Sequence, residues 1–239
     1  MTPVSGVVYL VPNLLGAVPP ASVLPERTLA VARAVRHWRV ETPKAARAFL
    51  KTLALDVPIA TLDVVAIPET ATTGAFDTLL APARSGEAIG VLSDAGCPGI
   101  ADPGAALVAA AHAAGLRVVP LVGPSAILLA LMAAGMNGQR FAFHGYLPVK
   151  PEARAAALRT LEQDSRRERR AQVFIETPYR NAALLRAIAE ALPPTTEVCI
   201  AADLTQDAET IERRTARGWR NADVARFDRR PAVFVLQAG

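Results

Sequence analysis

The sequence has little from which to build a disulfide framework or a metal centre. Its 239 residues include two cysteines, Cys97 and Cys199, which lie far apart and outside any Cys-x-x-Cys or Cys-x-x-His pattern. The three histidines are scattered along the chain. Structural disulfides and zinc sites need their ligands at recognisable spacings. We therefore expect a chain without disulfides and without a metal site.

Long hydrophobic runs and aromatic residues are scarce as well. No stretch approaches the roughly 18–20 apolar residues with which a helix crosses a membrane. Residues 1–6 lack the basic start and small-residue cleavage site of a secretory signal. Aromatic side chains make up 5% of the chain, which argues against a base-stacking platform for single-stranded RNA. The sequence thus predicts a soluble cytoplasmic protein that does not contact a membrane.

Arginine greatly outnumbers lysine, and the formal net charge is +4. Many of the arginines are grouped, at residues 166–170, 213–220 and 226–230. Such clusters suit a polyanionic partner such as RNA. An equally good interpretation is a set of solvated charged faces.

The order of apolar runs predicts an α/β protein. Hydrophobic residues make up 51% of the chain, enough for a sizeable core. In the first half, strand-like runs alternate with helical patterns, at residues 7–11, 37–40, 61–67, 89–92 and 118–122. In the second half the strands are more often consecutive, at residues 140–145, 172–176, 197–201, 210–215 and 232–236. Parallel βαβ units are expected in the first half and a mixed sheet in the second. The predicted domains are residues 1–121 and 122–239.

The most informative segment is residues 93–104, which holds three glycines, two prolines and two aspartates directly after an apolar strand. Such a turn lets a ligand approach bare backbone at the carboxyl end of a strand. It matches neither the Walker A loop nor the Gly-x-Gly-x-x-Gly motif. Asp94 either accepts a hydrogen bond from a ligand or caps its own turn. Asp102 is expected to cap the following helix, and Cys97 to be a small packing residue.

A second strand-to-helix turn, Gly123-Pro124-Ser125, offers free main-chain N–H groups at a helix start. Three groups in the second half could accept a proton near strand ends. His144 either faces the ligand or is a satisfied structural histidine. Glu176 begins the segment Glu-Thr-Pro-Tyr-Arg, which reads equally as a substrate site or as a helix start. Asp203 belongs to an acidic patch that is better explained by solvated turn residues than by metal binding.

These motifs resemble those of the tetrapyrrole methylase superfamily. The segments that carry the resemblance, in order along the chain, are residues 93–98, 102–104, 120–126, 145–148, 174–180 and 202–205. They are most similar to the superfamily's branch of small-subunit ribosomal RNA ribose 2′-O-methyltransferases. The resemblance implies two α/β domains with S-adenosylmethionine in a cleft between them, and a homodimer. It also implies the cofactor-binding residues, which are Leu15, Asp94, Ala95, Gly96, Cys97, Pro98, Ser125, Ala126, Ile175 and Ala201. We add Gly123, the glycine of the second turn, as a further candidate.

The chain departs from that branch at residues 11–16, 41–44 and 202–203. Three hypotheses therefore stay open. The first is a methyltransferase acting on RNA, with the ribosomal RNA of the small subunit as its partner. The second keeps the cofactor but changes the acceptor to a small molecule, and the third is a cofactor-binding protein without turnover. If a ribose hydroxyl is methylated, its proton acceptor is expected to be Glu176, Asp203 or His144, in falling order.

Overall fold

The structure, a computed structural model, describes residues 6–68 and 73–239. The chain divides into two compact units, the first ending at Ser125 and the second beginning at Ala126. The predicted boundary lies four residues earlier. Residues 122–125 belong with the first unit because Thr28 Oγ1 donates to the carbonyl oxygen of Val122 at 2.8 Å and Cys97 Sγ contacts that of Pro124 at 3.5 Å.

The first unit is a parallel α/β sheet with helices between its strands. Its elements are β1 (Val7–Leu10), α1 (Glu26–Ala34), β2 (His37–Val40), α2 (Pro43–Lys51), β3 (Asp63–Ala66), α3 (Thr73–Arg84), β4 (Ile89–Leu92), α4 (Ala105–Ala113) and β5 (Arg117–Pro120). The strand order is β3-β2-β4-β1-β5, and every pairing is parallel. The carboxyl ends of β2, β4, β1 and β5 therefore lie side by side at one edge of the sheet.

Strand β4 is buried along its whole length, as expected for a central parallel strand covered on both faces. Gly90 interrupts its apolar side chains for a steric reason. A Cβ atom at this position would lie 2.7 Å from Cζ3 of Trp38, whose side chain is fully buried on the neighbouring β2. The glycine thus makes room for the largest side chain of this core.

The second unit is built on a mixed sheet. Its elements are α5 (Ala126–Ala134), β6 (Phe141–Tyr146), α6 (Pro151–Glu168), β7 (Ala171–Ile175), α7 (Asn181–Ala191), β8 (Glu197–Ala202), β9 (Thr210–Thr215), α8 (Ala216–Trp219) and β10 (Ala232–Gln237). The strand order is β6-β7-β10-β8-β9, with β6 parallel to β7 and the other pairings antiparallel. Strands β6, β7 and β8 therefore end at the same edge. The rings of Phe174 and Phe234 stack in its core with centroids 5.6 Å apart.

The fold class is confirmed: each unit is an α/β layer structure, parallel in the first half and mixed in the second. The sequence interpretation of residues 166–170 as a turn is wrong, because α6 continues to Glu168 before Arg169 adopts a left-handed conformation. Arg166 pairs with Glu162 one helical turn earlier, and Arg167 pairs with Asp164. Such i,i+4 and i,i+3 ion pairs support helical structure in a polar stretch.

Candidate functional site

In the first unit, the loop after β4 is held by hydrogen bonds to Asn13, which follows β1. The Asn13 side chain is buried, and its Nδ2 donates to the carbonyl oxygens of Ser93 at 2.9 Å and Asp94 at 3.0 Å. Its main-chain N–H donates to the carbonyl oxygen of Gly96 at 2.8 Å. Its Oδ1 accepts from the N–H of Leu14. One asparagine thus fixes the main chain of the loop at three residues, Ser93, Asp94 and Gly96.

Asp94 is tied to the segment that follows β2. Thr42 Oγ1 lies 2.9 Å and 3.0 Å from the two carboxylate oxygens of Asp94, and the N–H of Thr42 donates to Oδ1 at 3.1 Å. In return, the N–H of Asp94 donates to Oε2 of Glu41 at 2.9 Å. The Asp94 carboxylate therefore joins two neighbouring loops, a role that neither sequence interpretation of this residue anticipated.

Asp102 does not cap helix α4. The N-cap position is Gly104, at φ = 133°, and no side chain caps it. Burial, and then the negative charges of Glu41 and Asp94, raise the pKa of Asp102 to about 6. The prediction that Asp102 caps the next helix is thus wrong, and this carboxyl group instead lies in an acidic environment inside the loop.

The main chain between Asp94 and Pro98 remains available to a ligand. Among the described residues, nothing accepts a hydrogen bond from the N–H groups of Ala95, Gly96 or Cys97. Gly96 has φ = 68°, the left-handed conformation that glycine adopts readily. Successive unpaired N–H groups in such a turn form a concave surface that suits a negatively polarised ligand atom. Pro98, which closes the segment, has no N–H and is buried.

The side chains around this loop pack against the turns after β1 and β5. A Cβ atom on Gly96 would lie 3.4 Å from Cδ2 of Leu15, so this candidate residue touches the loop. A Cβ atom on Gly123 would lie 2.4 Å from Cβ of Pro12, so the glycine permits close packing of two turns. Burial raises the pKa of the Cys97 thiol, with a further contribution from Asp102. Cys97 is therefore a protonated packing residue and not a nucleophile.

In the second unit, the structure places Ile175 and Ala201 in one row across the sheet. Both pair with Val233, Ile175 from β7 and Ala201 from β8. Two inter-strand spacings separate them, or about 10 Å. Ala126, another candidate, begins helix α5, and Ser125 is the last residue of the first unit.

Glu176 follows Ile175 directly and is buried. Its Oε1 accepts from Nε and Nη2 of Arg180, at 3.0 Å and 2.6 Å, and from the N–H of Thr177 at 2.7 Å. Its Oε2 is buried and has no hydrogen-bond partner among the described residues. A buried carboxylate oxygen without a donor is rare and calls for a missing partner. In Glu176, Oε1 is thus held by Arg180 and Thr177, while Oε2 is free to accept a hydrogen bond.

The other two proton-acceptor candidates are engaged. Asp203, in a left-handed conformation after β8, accepts from Nε of Arg230 at 2.6 Å. His144 lies within β6, and its Nε2 is 2.6 Å from Oε1 of Gln172. Because an amide oxygen only accepts, this imidazole nitrogen carries a hydrogen and donates. His144 is thus held by a side chain of its own sheet, in line with the structural interpretation.

Two tyrosines at this edge are largely exposed. Tyr146 ends β6 and is 60% exposed, and Tyr179, three residues beyond Glu176, is 68% exposed. The guanidinium of Arg180 stands over the ring of Tyr179, 5.5 Å from its centroid. Hydrogen bonding to Glu176 raises the pKa of Arg180, and the charges of Glu176, Tyr179 and Tyr146 raise it further. Although the chain has few aromatic residues, the exposed rings of Tyr146 and Tyr179 both lie at the edge of the sheet where Glu176 follows β7.

Asn13, Glu41 and Thr42 were not candidate site residues in the sequence analysis, although they lie in two of the segments that depart from the family, residues 11–16 and 41–44. The signal that marks them is positional, since each comes one to three residues after a strand whose carboxyl end borders that of β4. In the described parts of the chain, no group of three or more His, Cys, Asp or Glu side chains is arranged to hold a metal ion. Nor does any described helix have the length and apolar character to cross a membrane.

Fold and site together define a class: a protein of two α/β units, each with candidate ligand-binding residues at the carboxyl edge of its sheet. The particular family follows from comparison with known proteins. The chain belongs to the tetrapyrrole (corrin/porphyrin) methylases, whose family profile matches residues 9–218. The resemblance found in the sequence is thereby confirmed.

Curated relatives share the name ribosomal RNA small subunit methyltransferase I. The protein of Escherichia coli O157:H7 is 42% identical over 135 residues, which are 56% of this chain and 46% of that protein. The protein of Vibrio cholerae serotype O1 is 34% identical over 195 residues, which are 72% of this chain and 66% of that protein. The chain thus spans about half the length of the first relative and about two thirds of the second.

Solved structures show the same fold at lower identity. The methyltransferase CobJ superimposes with a TM-score of 0.64 at 21% identity, over 98% of this chain and 95% of CobJ. A diphthine synthase superimposes with a TM-score of 0.63 at 12% identity, over 97% of this chain and 89% of that one. At these identities the likeness establishes the fold alone.

Proposed function

We propose that this protein is an S-adenosylmethionine-dependent methyltransferase that acts on the ribosomal RNA of the small ribosomal subunit, at a ribose 2′-hydroxyl. The observation that carries the proposal is the unpaired main chain of residues 95–97, held in place by Asn13 and Asp94. Relatives named for ribosomal RNA methylation, at up to 42% identity, support the choice of acceptor.

The residues present fit the proposed cofactor. The free N–H groups of Ala95, Gly96 and Cys97 offer donors in a turn that Leu15 covers on one side. In the second unit, Ile175 and Ala201 present apolar side chains in one row, and Glu176 Oε2 lacks a donor. As the family resemblance implies, we propose as cofactor-binding residues Leu15, Asp94, Ala95, Gly96, Cys97, Pro98, Gly123 and Ser125 of the first unit. Of the second unit we propose Ala126, Ile175 and Ala201.

When bound, S-adenosylmethionine supplies a methyl group on a positively charged sulfur. The chain's own contribution is to position the acceptor and to take its proton, because in-line displacement depends above all on alignment. The acceptor oxygen would form its bond to the methyl carbon as the carbon–sulfur bond breaks, which would leave S-adenosylhomocysteine. Oε2 of Glu176 would take up the proton of the acceptor hydroxyl. Arg180 fixes the other carboxylate oxygen and so orients this acceptor.

Asp203 and His144 are weaker candidates for the proton acceptor. The Asp203 carboxylate forms an ion pair with Arg230, and the His144 ring donates to Gln172. Glu176, by contrast, has a buried oxygen for which no partner is found in the described chain. This difference keeps Glu176 first among the three.

We also propose that the protein is a cytoplasmic homodimer. Helix α5 supports this proposal, because Leu128 and Met132 lie one turn apart and are 49% and 77% exposed. Large apolar side chains exposed in a row are typical of an interface. Light scattering at several concentrations tests it, since a mass of one chain at every concentration would exclude the dimer.

The proposed activity is tested in two steps. Isothermal calorimetry with S-adenosylhomocysteine measures cofactor binding, and absence of binding would remove the basis of the proposal. Transfer of a tritiated methyl group is then measured on small ribosomal subunits, total RNA and a small-molecule extract from a strain that lacks the protein. Label in the extract but not in RNA would favour a small-molecule acceptor instead.

A further inference from the structure

The arginine clusters that stand out in the sequence are largely neutralised in the structure. The ion pairs of these clusters join Arg166 to Glu162, Arg167 to Asp164 and Glu168, Arg170 to Asp164, Arg213 to Glu197, Arg214 and Arg226 to Glu212, and Arg230 to Asp203. Side chains paired in this way offer less positive charge to a polyanion than their number suggests. A binding surface for a polyanion should therefore be sought at arginines without carboxylate partners.

Arg154 is the most anomalous of these. It lies on the inward-facing stripe of α6 that also includes Leu158 and Leu161, and it is only 8% exposed. Its Nε is shielded from solvent and has no hydrogen-bond partner, and its guanidinium forms no ion pair with any described residue. A largely buried cation without an anion is unfavourable, so Arg154 is a candidate contact for an anion that the chain itself does not supply.

Arg154 lines an open groove between α6 and α7. The groove has a volume of about 490 Å³, and its floor includes alanines from both helices. Arg159 and Arg186 stand at its rim as exposed side chains, together with the exposed carboxylates of Glu152 and Glu190. Small floor residues leave room for a bulky group to reach the buried guanidinium.

The groove continues along α7. A second cavity, of about 700 Å³, shares Arg186 and Glu190 with the first and extends to Arg220. An elongated surface with arginines at intervals suits a strand with repeated anionic groups better than a single small ion. The guanidinium group matches the geometry of phosphate oxygens, with two parallel N–H donors.

We propose that the groove between α6 and α7 binds the phosphate backbone of the RNA acceptor, with Arg154 as its buried anchor and Arg159 and Arg186 as its outer contacts. This inference rests on the proposed RNA methyltransferase function and adds a second contact surface to it. The groove is formed by two helices of the second unit, and its lining includes neither Glu176 nor Asp203. Its expected role is to hold the strand and not to transfer the methyl group.

The test compares Arg154→Met with Arg167→Met, a substitution on the same helix that removes the same charge from an exposed, ion-paired position. The probe is a fluorescein-labelled single-stranded RNA copied from small-subunit ribosomal RNA, followed by anisotropy at several salt concentrations. Arg154→Met should weaken binding about tenfold and reduce the salt slope by about one. Arg167→Met should stay within about twofold of the wild type because its charge is already neutralised.

A second measurement separates binding from folding. Inorganic phosphate at constant ionic strength should raise the unfolding temperature of the wild type and of Arg167→Met but not that of Arg154→Met. Without phosphate, Arg154→Met should unfold at or above the wild-type temperature, since a buried unpaired charge has been replaced by an apolar side chain. Equal RNA affinities of the two variants would overturn the proposal, even if phosphate alone still binds at Arg154.

Methyl transfer to RNA, measured with the same preparations, keeps this proposal distinct from the proposed function. Equal RNA affinities together with intact methylation would overturn the groove and leave the function standing. Binding that depends on Arg154 without methylation of RNA by the wild type would support the groove and contradict the function.

Discussion

The side-chain amide of Asn13 donates a hydrogen bond to the main-chain oxygen of Asp94, 81 residues further along the chain and at a distance of 3.0 Å. Through this contact, and the neighbouring one to Ser93, the turn after β1 determines the shape of the loop after β4. The unpaired N–H groups of residues 95–97 face a ligand only while this shape is kept. Asn13 is therefore a positioning residue for the proposed cofactor site.

Replacement of Asn13 by alanine should weaken the proposed cofactor site. Two main-chain carbonyl groups, one of them buried, lose their donor, which should lower the free energy of unfolding by about 2 kcal/mol. The affinity for S-adenosylhomocysteine, measured by calorimetry, should fall about tenfold. Asn137→Ala is the matched control, because that asparagine bonds to Arg169 and to residues 139–140 of the second unit. Equal cofactor affinities in the two variants would exclude the positioning role.

Glu176→Gln should lower turnover without a comparable loss of cofactor affinity. The amide cannot take up the proton of the acceptor, and the loss of a positioned proton acceptor reduces the rate about 100-fold or more. The control is Glu162→Gln, since Glu162 is also buried and also pairs with an arginine four residues later. Initial rates of methyl transfer with saturating cofactor give the comparison. A Glu176→Gln enzyme as fast as Glu162→Gln would assign the proton to another group.

The stability of the protein should depend on pH through Asp102. Burial and the Glu41 carboxylate raise its pKa from 3.8 to about 6, so the folded state binds the proton more tightly than the unfolded state does. Between these two values, stability should fall as pH rises, because ionisation is less favourable in the folded protein. The Asp102→Asn variant has no carboxyl group at this position, so it should not lose stability in this way as pH rises.

The measurement is the difference in unfolding temperature between Asp102→Asn and the wild type. The two proteins should unfold at similar temperatures near pH 4, and the variant should become the more stable one by pH 7. A difference that is constant across this range would show that Asp102 ionises as it does in an unfolded chain.

The two thiols should react slowly with alkylating reagents. Burial raises the pKa of Cys97, and it raises the pKa of Cys199 to about 11. Since the thiolate is the reactive form, both should be alkylated by iodoacetamide at pH 7.5 more slowly than free cysteine, with Cys199 the slower. Mass spectrometry of timed samples gives the rates. Cys97 labelling at the rate of free cysteine would point to an activated thiol in the loop.

The sequence predicted the strands and the Gly- and Pro-rich turns at their ends because both depend on local signals. Apolar runs that end in Gly- and Pro-rich turns placed the loop after β4 and the turn after β5 at strand ends, where the structure has them. Ile175 and Ala201 were implied by resemblance as cofactor-binding residues, which stays a prediction, and the structure shows that both pair with Val233.

What the sequence did not predict depends on contacts between distant segments. The bond between Thr42 and Asp94 joins residues 52 positions apart, so a turn-based interpretation of Asp94 had no means to find it. The same holds for Asp102, whose environment is set by Glu41.

For the arginine clusters the sequence left two interpretations open, a polyanionic partner or solvated charged faces. The structure supplies ion-pair partners within α6, between β8 and β9 and between Arg230 and Asp203. It also shows Nε of Arg154 to be buried without a partner in the described chain.

The most direct test of the account is methyl transfer from tritiated S-adenosylmethionine to small ribosomal subunits taken from a strain without this protein. The account predicts that label enters the ribosomal RNA and, after complete hydrolysis, is recovered in a 2′-O-methylated nucleoside. It also predicts that subunits from a strain with the protein accept little label. Binding of the cofactor without any label in RNA from either source would contradict it.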